Sequence, residues 1–275
     1  MTRHVASVEL DRLLDLARDI ALEAAEFAAE ARRGGVEVAA TKSTPTDIVT
    51  AVDRDTESLI RERILAARPD DGILGEEGAE RFGTSGLTWV VDPIDGTVNF
   101  LYGAPSWAVS IAVVEEPAEP SSWRALVGIV VNPSNGEVYE ARAGGGARLG
   151  STALHVTTGV PLGRALVGTG FGYAAEVRRE QAAVLLALLP QVRDVRRNGS
   201  AALELCGVAA GRLDAFYEHG LSPWDHAAAA LIVREAGARV GGARGGAEGA
   251  ELVLAAAPGL YEELESALAA AGAWA

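Results

Sequence analysis

The feature that most constrains this chain is Trp89-Val90-Val91-Asp92-Pro93-Ile94-Asp95-Gly96-Thr97-Val98-Asn99-Phe100, an apolar strand-like run that empties into two carboxylates. Asp92 falls at the end of the strand, Pro93 stiffens the turn, and Asp95 follows close behind, so two negative charges converge on one point. Unpaired, they repel. A hard divalent cation with oxygen ligands, of the kind magnesium prefers, would hold them together. Gly96 lets the backbone approach a ligand closely, and the amides of Gly96 and Thr97 can open a helix whose N-terminus takes an anion. Metal and phosphate would then share one loop. The competing reading is a plain turn, since Asp, Pro and Gly each favour turns on their own account.

Other acids invite the same double reading. Gly75-Glu76-Glu77-Gly78 follows the apolar pair Ile73-Leu74, and taken alone it is a solvated loop. Ser222-Pro223-Trp224-Asp225 opens an Ala-rich helix running to Glu235, with Ser222 placed as N-cap, Pro223 first in the helix and Asp225 three residues past the cap. Thr50-x-x-Asp53 has the same form, and either Asp could simply complement its helix dipole.

The rest of the chain supplies a scaffold. Leu10, Leu13, Leu14, Ala17, Ile20, Ala21, Ala24, Phe27 and Ala28 recur at helical spacing over 7–32, ended by Gly34-Gly35. A second helix over 50–67 carries the stripe Val52, Leu59, Ile60, Ile64 and Ala67. Strand-like runs follow at 89–91, 107–114, 126–131 and 137–141, the last two forming a hairpin around Asn132-Pro133-Ser134-Asn135-Gly136. Beyond Gly144-Gly145-Gly146, strands near 165–168, 195, 213–217 and 251–255 alternate with helices over 176–189, 200–210 and 223–236. That alternation predicts a layered α/β half. A break at 145–160 divides the chain into 1–150, carrying most of the candidate ligands, and 151–275, carrying Asp225. Gly241 to Gly249 reads as a loop.

Charge and cysteine content exclude several classes. A net charge of −14 over 275 residues argues against a nucleic-acid or anionic-membrane partner, which needs clustered Lys and Arg. It sits awkwardly with an anionic substrate unless many of the carboxylates hold cations. Cys206 is the single cysteine and lies in an apolar setting, so no intramolecular disulfide forms and a reducing cytoplasm fits. The first residues lack the pattern of a signal peptide, and no window approaches the roughly 20 apolar residues that span a bilayer. The expectation is a cytoplasmic protein.

In conjunction these elements resemble a known family. Val91 to Phe100 looks like the first signature of the inositol monophosphatase family, and Pro223-Trp224-Asp225-His226-Ala227-Ala228 with Glu235-Ala236-Gly237-Ala238 resembles its second. Thr46-Asp47-Ile48-Val49-Thr50-Ala51-Val52-Asp53 and Gly75-Glu76-Glu77 fall where that family has them, in the same order. The resemblance implies a layered αβαβα sandwich of the inositol monophosphatase/fructose-1,6-bisphosphatase type, and a phosphomonoesterase using two or three magnesium ions. It implies Glu76, Asp92 and the carbonyl of Ile94 as ligands of one ion, and Asp92, Asp95 and Asp225 as ligands of another. Asp53 would hydrogen-bond Thr97, the pair orienting or deprotonating the attacking water, with Glu76 counted beside them as catalytic. Phosphate would lie on the metals and on the amides of Gly96 and Thr97, and the alcohol against Gly199, Ser200, Ala201 and Glu218. A homodimer and lithium sensitivity also follow from the resemblance.

The residues themselves are consistent with that chemistry. Metal ions roughly 3.5–4 Å apart can clamp an in-line displacement without a protein nucleophile. A carboxylate at Glu218 can accept from two neighbouring hydroxyls, although alone it reads as a strand-end surface acid. His4, His155, His219 and His226 are scattered and read as structural or exposed. The substrate expected is inositol 1-phosphate. The alternatives on the same scaffold are histidinol phosphate and 3'-phosphoadenosine 5'-phosphate, and a reading of another class is a metal-dependent binding protein without catalysis.

Overall fold

A computed structural model describes residues 7–35, 38–41, 48–115 and 123–274. Thr46 and Asp47 of the quoted motif, and His4, lie outside the described residues. Helix α1 (Ser7–Arg33) leads to the antiparallel pair β1 (Val38–Thr41) and β2 (Ile48–Thr50), and then to α2 (Ala51–Ala67). Next come β3 (Gly72–Gly75), β4 (Leu87–Asp95), the short helix α3 (Thr97–Tyr102), β5 (Ala108–Glu115), β6 (Arg124–Asn132), β7 (Glu137–Arg142), β8 (Ala147–Leu149) and β9 (Thr152–Ala153). The strands β3 to β9 form a seven-stranded sheet in chain order, antiparallel except where β3 runs beside β4.

The remaining elements are β10 (Leu166–Thr169), α4 (Ala175–Leu188), β11 (Asp194–Arg196), α5 (Ala201–Ala209), β12 (Ala215–Glu218), α6 (Pro223–Glu235), β13 (Arg239–Gly241), β14 (Val253–Ala256) and α7 (Leu260–Ala270). Their sheet has the order β11-β10-β12-β14-β13, parallel over its first three strands and antiparallel around β14.

Alternation along the strands sets the stacking. Val109, Ile111 and Val113 of β5 turn to Leu13, Ala17, Ile20 and Ala24 of α1, while Ala108, Ala112 and Val114 turn to the other face and meet Leu205 of α5 and Ala228 and Ile232 of α6. Phe216, Val253 and Ala255 of the second sheet close on those same two helices. On its far face Tyr217, Leu254 and Ala256 pack with Leu188 of α4 and Leu260 and Leu264 of α7. The layers are therefore helix, sheet, helix, sheet, helix, which is the αβαβα sandwich expected.

Helix α6 is buried on every side from His226 to Val233 because it lies between two sheets, and most of that run is apolar. Small side chains there let the sheet come close. At Gly128 of β6 an added Cβ would stand 2.5 Å from the Ala228 carbonyl oxygen. The expected hairpin, helices and alternating strands are present, with two corrections. First, the strand does not end at Asp92. It continues to Asp95 across a bulge, since β4 advances three residues from Asp92 to Asp95 while its partner advances two, from Ser110 to Ala108. Second, the buried face of α2 is Asp53, Thr56, Glu57, Ile60 and Ile64, not the apolar stripe that includes Leu59 and Ala67. The two carboxylates on the inner face, Asp53 and Glu57, find donors there.

Gly128→Val should force β6 away from α6, and overpacking of this kind costs about 1–3 kcal/mol. At this chain length the melting temperature should fall by roughly 2–4 °C per kcal/mol. An unchanged melting temperature would show that the two elements part freely.

Candidate active site

The bulge in β4 re-aims its acids. Instead of alternating across the sheet, Asp92 and Asp95 both line a cavity of about 470 Å³ at the end of β4, and so do Glu76, Ile94, Gly96, Thr97, Gly199, Ser200, Ala201, Glu218 and Asp225. Residues far apart in the chain are thus brought together, with Asp53 just behind Thr97. Gly96 is the N-cap of α3 and has φ 89°, a left-handed conformation that favours glycine. A Cβ there would stand 2.9 Å from the Ser106 carbonyl oxygen and 3.0 Å from that of Gly199.

Each acid meets donors from a different element. Asp95 is 7% exposed and accepts from Ser200 Oγ at 2.5 Å and from the amides of Ala202 and Ala201 at 2.8 and 3.3 Å, so it caps the start of α5. Asp225 Oδ2 accepts from the Ser222 amide at 2.6 Å, closing the cap of α6. Asp53, 1% exposed, accepts through Oδ2 from the Thr50 hydroxyl and from its amide at 2.9 Å, and through Oδ1 from Thr97 Oγ1 at 3.2 Å. Capping and the bond to Thr97 are therefore simultaneous, one on each oxygen. Thr97 Oγ1 also lies 3.1 Å from the Ile94 carbonyl.

Burial pushes Asp92 well above the usual carboxylate range, and Glu76, Asp95 and Asp225 push it further by repulsion. The carboxyl of Glu76 is the neighbour that raises Asp92 most after burial. Burial raises Asp95 to about 6 against the opposing bonds from Ser200 and α5. Asp225 goes up for the same reasons, burial first and then Glu76 and Asp95. Burial also lifts Asp53, opposed by Thr50 and Thr97, and lifts Glu218 to about 8 with help from Asp95.

These residues fit a hard divalent cation by the chemistry of their donors. All are oxygens, and the mutual repulsion of Glu76, Asp92, Asp95 and Asp225 is what a cation among them would offset. As the side chains stand, no three acidic, histidine or cysteine groups among the described residues enclose a single ion. Asp95 is drawn toward α5 and Asp225 toward Ser222.

Several lining residues escaped the sequence reading. Arg197 contributes a guanidinium, and Glu204 a buried carboxyl that burial raises to about 7. His219 also lines the cavity, so it is not simply a surface or core histidine. His226 is buried, with neither ring nitrogen hydrogen-bonded, and burial holds it near 4 and therefore neutral. The doubled arginine before Gly199 was the one available signal for Arg197.

The sequence profile described as the inositol monophosphatase family matches residues 9–273. The inositol-1-monophosphatase SuhB of Mycobacterium tuberculosis is 48% identical over 276 residues, covering 94% of this chain and 93% of the relative. The solved structure of Mycobacterium tuberculosis SuhB superposes with a TM-score of 0.81 at 45% identity, over 96% of this chain and 98% of that one. The extragenic suppressor protein SuhB of Bartonella henselae gives 0.85 at 33% identity, over 94% of this chain and 98% of that one.

A carboxyl whose pKa folding raises binds its proton more tightly in the folded state. It therefore favours folding below the ordinary carboxylate pKa of about 4, and that contribution is lost as pH rises through the raised value. The loss falls between about pH 4 and 6 for Asp95 and between about pH 4 and 8 for Glu218. The metal-free protein should melt at a lower temperature at pH 8 than at pH 5.5, and magnesium should raise melting more at pH 8. Calorimetric melts giving equal magnesium effects at both pH values would count against the carboxylate cluster as the cation site.

Proposed function

The chain belongs to the inositol monophosphatase family, and on that premise we propose that it is a magnesium-dependent phosphatase that hydrolyses inositol 1-phosphate to inositol and phosphate. The bond from Thr97 to Asp53 carries this reading, because metal binding alone has no use for a threonine held behind the cavity by a buried carboxylate. Glu76, Asp92 and the carbonyl of Ile94 would hold one ion, and Asp92, Asp95 and Asp225 a second, with two or three ions in all. With the single Thr97 hydroxyl proton directed to Asp53, the Ile94 carbonyl oxygen keeps its lone pairs free for the ion. Such ions supply Lewis-acid activation of water and neutralise charge on phosphate and leaving group.

The chain's own residues do the rest. Thr97 Oγ1 gives its proton toward Asp53 Oδ1 and turns a lone pair to the attacking water, taking one proton from it as the oxygen–phosphorus bond forms. Burial raises the Asp53 pKa and so favours its gaining that proton. The ester oxygen leaves with the bonding pair and is protonated by solvent. Amides of Gly96 and Thr97 orient the phosphate, and Glu218 meets the hydroxyls of the alcohol. Ser200 and Ala201 act here through Asp95, whose oxygens they hold. A cytoplasmic homodimer is supported by the single buried thiol of Cys206 for the compartment and by the family for the assembly.

Phosphate release with magnesium should be fastest on inositol 1-phosphate among that ester, histidinol phosphate, 3'-phosphoadenosine 5'-phosphate, fructose 1,6-bisphosphate and glycerol 2-phosphate, and chelator should abolish it. Thr97→Val should lower turnover by about 10²–10⁴, the usual scale of general acid–base assistance, while magnesium affinity changes little. Wild-type turnover in Thr97→Val, or undiminished release in excess chelator, would sink the mechanism.

A further inference from the structure

One buried carboxylate next to the cavity takes no part in the chemistry above. Glu57 lies on α2, is 2% exposed, and points at the loop that carries Glu76. Its Oε2 accepts from the Glu77 amide at 2.7 Å, and its Oε1 accepts from the Gly78 amide at 2.9 Å and from Arg61 Nε at 2.6 Å. The loop is shaped around it. A Cβ on Gly75 would stand 2.4 Å from Oε1, and one on Gly78 would stand 2.7 Å from the same atom. The residues on either side of the Glu76-Glu77 pair thus lack side chains where the Glu57 carboxylate sits.

Taking a carboxylate out of water is expensive unless charge-assisted hydrogen bonds compensate it, and here two of its three donors are amides of one loop. Asp53 lies one turn earlier on the same buried face of α2 and holds Thr97. The helix therefore fixes two groups that must act together, Glu76 on one side and Thr97 on the other.

We propose that Glu57 is a positioning residue that locks the Gly75–Gly78 loop and so sets Glu76 for cation binding. The inference rests on the reading of Glu76 as a magnesium ligand. Outer partners of metal ligands commonly govern affinity by 10–100-fold, because they fix the ligand before the ion arrives. Glu57→Gln keeps the shape but turns an NH₂ group against an amide N–H, so one anchor becomes a repulsion.

The test is isothermal titration with magnesium and no substrate, run beside phosphate release and thermal melting. Glu57→Gln should weaken magnesium binding by about 10–100-fold, with kcat at saturating magnesium largely retained. Gly75→Ala should weaken binding in the same direction by displacing the Glu57 carboxylate from the other side, and it carries the test if Glu57→Gln fails to fold. Arg61→Met leaves both amide bonds in place and should shift binding much less. Unweakened magnesium binding in the folded Glu57→Gln and Gly75→Ala proteins would overturn the proposal, even with lowered melting temperatures. So would a loss in Arg61→Met equal to that in Glu57→Gln, which would assign the effect to the ion pair. A wild-type protein that binds no magnesium would overturn the reading of Glu76 as well, whereas wild-type binding with unweakened variants overturns the placement of Glu57 alone.

Discussion

Mutual repulsion among buried carboxylates is the constraint on which the rest of this structure depends. Glu76, Asp92, Asp95 and Asp225 line one cavity; burial raises the pKa of Asp92, Asp95 and Asp225, and neighbouring negative charge raises Asp92 and Asp225 further. The layered fold answers with helix N-termini. Asp95 caps α5, Asp225 sits in the first turn of α6, and Asp53 sits in the first turn of α2. Each helix brings unpaired amides and the positive end of its dipole to an acid. Because α5 and α6 lie between the two sheets, their starts reach the cavity from the second half of the chain while β4 reaches it from the first.

The same arrangement reconciles a net charge of −14 with membership of a phosphatase family, whose substrates are anionic. Among the described residues that line the cavity, Arg197 is the only arginine or lysine. Under the proposed reaction the positive potential for a phosphate would come from Arg197, from amides and from cations held by the acids, which would place acids and anion in one site. The glycine at 96 follows from this, because a Cβ would meet the carbonyls of Ser106 and Gly199 in a crowded turn.

Much of this was legible in the sequence because it is local. The run into Asp92 and Asp95, the cap patterns at Thr50 and Ser222, and the strand and helix periods are all written in neighbouring residues; these predicted a layered α/β second half, and the full αβαβα architecture came from the family likeness. What was not legible depends on tertiary partners. The bulge at Pro93 and Ile94 appears only in the register of β4 against β5. Glu57 is a charged residue in a helix whose apolar positions suggested a different inner face, and its burial makes sense only beside the amides of Glu77 and Gly78. Arg197 and Glu204 reach the cavity from a segment whose sequence shows an arginine pair and a helix start, neither of which announces a site.

At Asp53 the helix cap and the bond to Thr97 coexist. A carboxylate has two oxygens, and Asp53 spends Oδ2 on the start of α2 and Oδ1 on Thr97. Using a cap as a site residue has a physical advantage, because the helix fixes the carboxylate before any ligand arrives and little side-chain entropy remains to be lost. It also couples stability to function. A substitution at Asp53 removes a cap, typically about 1 kcal/mol, together with whatever Thr97 contributes. A loss of stability there is therefore no argument against a catalytic part. A cation bound only by the folded state adds the reverse coupling, about 2.7 kcal/mol when present at 100 times its Kd. The acids that unsettle the metal-free fold would then become, with their ions, part of what holds it together.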